Sequence, residues 1–183
     1  MTTTTSIKQA TQNWLENIVI GFNFCPFARK VWLQDKVAYR VHTTDSIEAM
    51  LEALMAACQE LDANTALETT LLIFPNGLDD FGDYLEVLDI AEGLLEQMAY
   101  TGIYQLASFH PNYIFGGTTA NDVSNYTNRS PYPMLHLLRE ASIEKALEHY
   151  PNPEAIPEQN IELANQKSLA TWQALLQACY TAG

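Results

Sequence analysis

Thr69–Pro75, TTLLIFP, is the stretch on which the fold depends. A short, continuous apolar run of this kind reads as a strand buried on both faces, and Asn76-Gly77 breaks it. Upstream, Lys36–His42 alternates, with Val37, Tyr39 and Val41 on one face and Ala38, Arg40 and His42 on the other, which predicts a second strand. Between the two, Asp45 and Glu48 have the spacing of a helix capping box. Ile47, Met50, Leu51, Leu54, Cys58 and Leu61 then follow at helical spacing, so Cys58 reads as core.

Downstream, residues 80–99 carry the clearest helical pattern. Tyr84, Val87, Leu88, Ala91, Leu94, Leu95 and Met98 form its buried stripe, while Asp83, Glu86, Asp89 and Glu96 make a solvated face. Gly102 ends the turn that follows, and Ile103–Phe109 supplies a third strand. Strands alternating with crossover helices predict an α/β fold: a small, mainly parallel three-stranded sheet (βαβαβ) with helices packed around it and extra C-terminal helices. His42, Asn76 and His110 then fall at the carboxyl ends of the strands, where open α/β sheets place their ligands.

Before the first strand, Ile7, Ala10, Trp14, Ile18 and Phe22 predict a helix over residues 6–21. In NFCPFARKVW the Cys25-Pro26 step places Cys25 at the N-cap of a short helix over 26–32, with Arg29 one turn on. Both neighbours would lower a thiol pKa; the alternative is a small buried cysteine wedged between Phe24 and Phe27.

After the third strand comes Ser108–Glu140, SFHPNYIFGGTTANDVSNYTNRSPYPMLHLLRE, with two of the four histidines and two of the four arginines. A long polar loop between regular elements is more often functional than idle. Ser130, followed by Pro131, is expected to cap a helix with Met134, Leu135, Leu137, Leu138 and Ala141 on one side and Ile143, Ala146, Leu147 and Tyr150 on the other. His136, Arg139 and Glu140 would be part-buried in it and therefore paired. YPNPEAIP is a proline-rich connector into a final helix over about 157–180, in which Ile161, Ala164, Trp172, Leu175, Leu176 and Cys179 face inward.

A length of 183 residues suits one domain spanning 1–183, and an apolar fraction of 48% with 17% charged suits a soluble globular protein. The net charge of −13 repels phosphate backbones and anionic lipid, which argues against nucleic-acid and membrane partners. No run reaches the length of a membrane span, and MTTTTSIKQAT lacks the basic and apolar regions of a signal peptide. Three scattered cysteines make no disulfide framework, so a reducing cytoplasm is the expected location. From Val41 through Asn128 the chain contains no Lys or Arg.

Against that acidity, Asn128, Arg129 and Ser130 lead into the expected helix N-terminus, a natural anion site, with Arg139 beneath it. The expected function is therefore an enzyme acting on a small anionic substrate in a Cys/His/Arg-lined pocket at the carboxyl ends of the strands. Arg29, Asn128, Arg129, Ser130, Arg139 and Glu140 would bind it, Cys25 would be the nucleophile, and His110 or His136 the acid/base. A non-catalytic ligand-binding or regulatory protein using the same pocket is the alternative, as is a metal-binding protein built on Cys25, His110 and His136. A structural or partner-binding module is a further class, and it predicts a large exposed apolar patch away from the loop. Gly116-Gly117 permits a close backbone approach or an unusual turn, but no phosphate-loop or dinucleotide motif is present, and the sequence names no cofactor.

NFCPFA at 23–28, ASFHP at 107–111 and SNYTNRSPYPMLHLLREAS at 124–142 resemble the bacterial proteins of the family called domain of unknown function 1415. The resemblance covers essentially the whole chain. It implies a small, soluble bacterial protein and carries over no catalytic residue.

Overall fold

The computed structural model describes residues 3–181, so Met1 and Thr2 of the N-terminal stretch lie outside it, as do Ala182 and Gly183. Strands β1 (Val37–Val41), β2 (Thr69–Ile73), β3 (Tyr104–Phe109) and β4 (Met134–Arg139) form one sheet in the order β1-β2-β4-β3. β1 pairs with β2 in parallel, while β4 runs antiparallel to both β2 and β3. The three expected strands are present and share one direction. They are not three adjacent parallel strands, because β4 fills the slot between β2 and β3.

That strand corrects the expected helix after Ser130. Met134–Arg139 is an apolar run, and its wheel-like distribution of leucines fits a strand buried on both faces equally well. Leu135 and Leu137 enter one core and Met134 the other. Helix α5 (Glu140–Leu147) begins only where the run ends.

Two helical layers cover the sheet. α3 (Ile47–Ala63) and α4 (Phe81–Gln97) pack on the face carrying Leu72, Leu135 and Leu137. α3 starts at Ser46, whose hydroxyl accepts the Ala49 N–H, and α4 at Asp80, whose carboxylate accepts the N–H groups of Gly82 and Asp83. The other face, with Leu71, Ile73 and Met134, receives α1 (Thr4–Trp14), its π-helical continuation to Ile20, and the C-terminal helices α6 (Ile156–Asn165) and α7 (Leu169–Ala178). The expected single C-terminal helix is two, divided before Ser168, whose side chain caps α7. Trp172 of α7 is fully buried among Phe22, Phe24 and Tyr126.

Buried polar side chains stitch the layers. Tyr84 of α4 donates to Met134 O at 2.8 Å and accepts the Phe109 N–H at 3.1 Å, tying the helix to two strand ends. Among the described residues no helix is long and apolar enough to cross a membrane.

Candidate functional site

His42, Asn76 and His110 do gather at one end of the sheet, but the loops there are pressed together. Asn76 donates through Nδ2 to Thr43 O, and a Cβ on Gly77 (φ +81°) would stand 2.8 Å from Asp45 Cα. His110 is fully buried and spends both ring nitrogens on the backbone. Nε2 donates to Leu78 O at 2.8 Å, and Nδ1 accepts the Asn112 N–H at 3.0 Å. That pattern requires the neutral ring, because a proton on Nδ1 would face a donor. Burial, the larger influence, pushes its pKa down in the same direction. Burial also lowers the pKa of His42, with Arg40 adding to the effect.

The polar loop folds on itself. Asn125, fully buried, accepts from Phe115 N–H and from the Thr118 hydroxyl and donates to Thr119 O. Arg129 donates to Tyr113 O and Ala120 O and lies over the Tyr126 ring, 4.7 Å from its centroid. Asn128 donates to Ser108 O, and Ser130, buried, donates to Tyr132 O instead of capping a helix. Gly116-Gly117 serves a tight turn, with Thr118 N–H bonded to Phe115 O and Gly117 at φ +83°, and nothing approaches either glycine closely.

Arg129 and Arg139 stand at opposite ends of β4, a strand on the order of 17 Å long at about 3.3 Å per residue. Arg139 donates to Leu61 O and Leu67 O and to the Tyr104 hydroxyl. It therefore serves the last turn of α3, where a cation is favoured. Tyr104 in turn donates to Asp62, as does Tyr100, and these bonds hold the Asp62 carboxyl below its ordinary pKa.

His136 lies three residues before Arg139, so strand alternation turns the two to opposite faces. The Thr69 hydroxyl donates to Leu137 O at 2.6 Å, so at 2.7 Å it can only accept from His136 Nε2–H. Burial takes the His136 pKa down to about 4. Glu140 opens α5, its N–H bonded to Ile103 O. His136, Arg139 and Glu140 are thus not mutually paired.

Cys25 lies in a turn before α2 (Ala28–Leu33), whose cap is Phe27 and not the cysteine. Its sulfur is half-buried against the core on the α1 side of the sheet, whereas His110 stands with Phe81 and Tyr84 on the α4 side. Burial raises the thiol pKa, and the N–H groups of Phe27 and Ala28, which favour the thiolate, only partly offset it. Arg29 is exposed on α2. Among the described residues no group of three or more His, Cys, Asp or Glu side chains could hold a metal ion.

What the chain leaves open lies elsewhere. Between the outer sides of α3 and α4 runs a shallow groove of about 730 Å³, walled by Ile47, Leu51 and Met55 from one helix and Ile90 and Leu94 from the other. Ile47 and Ile90 are each 46% exposed. On each helix these residues are four apart, which aligns them as one ridge. Sequence reasoning placed Ile47, Leu51 and Leu94 in the core. The missed signal was width: Ile47, Leu51 and Met55 form a row beside the buried Met50, Leu54 and Cys58, and one contact surface does not need both.

Sheet, loop and groove together define an α/β protein whose polar loop is cross-linked by its own side chains and whose partly exposed apolar row lies on two acidic helices. The chain belongs to the family described as protein of unknown function (DUF1415), whose model matches residues 6–174. No curated protein and no solved structure matches it.

Proposed function

We propose that this protein is a docking module that receives a helical segment of another protein in the α3–α4 groove. The observation that carries the reading is the aligned apolar row of Ile47, Leu51, Met55, Ile90 and Leu94. A groove between helices takes an amphipathic helix through anchors one turn apart. Supporting it, both ring nitrogens of His110 are taken by backbone groups, and Arg129 and Arg139 each donate to backbone carbonyls of the protein itself. Calorimetric titration with helical leucine-faced peptides bearing lysine, glutamine or glutamate on the polar face tests it. At least one peptide should bind the native protein and fail on Met55→Glu. No binding by any of them would overturn the reading.

A second reading keeps catalysis on a small anionic substrate, with Cys25 as nucleophile. It is favoured by the partly buried Cys25, whose sulfur faces the Phe27 and Ala28 N–H groups. Alkylation of the native protein at neutral pH discriminates. Labelling of Cys25 faster than a free cysteine would uphold this reading, and slower labelling, the direction of the raised pKa, would remove it.

A further inference from the structure

From the charge around the groove we infer that its occupant is a basic amphipathic helix, with aliphatic side chains in the groove and Lys or Arg opposite Glu48, Glu52 and Glu86; this deepens the docking reading and rests on it. Every charged side chain on α3 and α4 is acidic, because the chain has no Lys or Arg between Val41 and Asn128. Glu48 and Glu52 are themselves part of the groove wall. Glu86 precedes Ile90 by one turn on the same row of α4.

The acids further along α3 are answered from within the fold. Glu60 is paired with Arg40, and Asp62 accepts from Tyr100 and Tyr104. Glu48, Glu52 and Glu86 form no ion pair or side-chain hydrogen bond among the described residues. Glu48 and Glu52, four apart, also repel one another along the helix. An apolar row bordered by unanswered like charges is complementary to a helix that is apolar on one face and cationic on its flanks. A second copy of this chain would set the same acids against each other, and anionic lipid or nucleic acid would be repelled.

The test follows fluorescence anisotropy of a labelled leucine–lysine amphipathic peptide, about five turns long, on the full chain. It is compared with glutamine and glutamate versions of the same apolar pattern. The lysine peptide should bind at least about tenfold more tightly than the glutamine one. That preference should shrink as salt is raised, and it should vanish in a Glu48→Gln/Glu52→Gln/Glu86→Gln variant. Equal affinity for lysine and glutamine peptides, with binding still lost in Met55→Glu, would overturn the cationic partner and leave the docking reading standing. Tighter binding of the glutamate peptide would overturn it likewise. So would a self-associated protein, seen by sedimentation, that Met55→Glu dissociates. Failure of all three peptides to bind would overturn both readings.

Discussion

His136 and Thr70 show what the core tolerates at the scale of one residue. His136 stays neutral in the fold, with burial holding its pKa at about 4 against an ordinary 6.5. Between those values the unfolded chain binds a proton that the folded chain does not, so stability is full above pH 6.5 and falls as the pH drops toward 4. Replacing His136 by Gln retains an amide N–H for Thr69 and removes the titration. Denaturant melts across that range should show the wild type losing stability relative to His136→Gln on acidification, by up to about 3 kcal/mol. Parallel curves would contradict the assignment. Thr70 is the simpler case. Its hydroxyl is buried against the α3 side with no hydrogen-bond partner, and so is that of Tyr39 on the opposite face. Thr70→Val keeps the β-branched shape without the orphaned oxygen and should raise stability by about 1–2 kcal/mol in chemical unfolding.

Elements were legible from the sequence where one periodicity was available. The alternation of Val37–Val41 and the long stripe of α4 each admitted one reading, TTLLIFP was cut to strand length by Pro75 and Asn76-Gly77, and each is present. PMLHLLR admitted two, since an apolar run of that length fits a buried helix as well as a central strand. The deciding signal was local. Ser130 and Tyr132 each precede a proline, which disfavours helical backbone at both positions just where the expected helix was to start. Taking the run as a helix also misplaced the candidate site, because it put Arg139 beneath Arg129 and beside His136 instead of at the far end of a strand. The loop's polar residues were visible in the sequence; their use by one another depends on contacts across the loop, such as Asn125 with Phe115 and Thr119, that no periodicity encodes. α4 carries a prediction of its own. Gly93 sits inside that helix, and an added Cβ would meet nothing within 4 Å. Gly93→Ala should therefore stabilise the protein by roughly 0.5–1 kcal/mol, read as a higher denaturation midpoint with an unchanged slope.

On the scale of the whole molecule, the two faces of the sheet are finished differently. The α1 side is packed around Trp14 and Trp172, with the polar loop clamped over one end through Arg129. On the α3–α4 side the inner stripes are buried, and a second apolar row is left open among acids in a chain of net charge −13. The most direct measurement is methyl-resolved NMR of the labelled protein during titration with the leucine–lysine peptide. Shift changes should centre on Ile47, Leu51, Met55, Ile90 and Leu94, with Ile114 and Val123 of the polar loop unmoved. Changes centred on Ile114 and Val123, with the α3–α4 methyls silent, would contradict a docking groove.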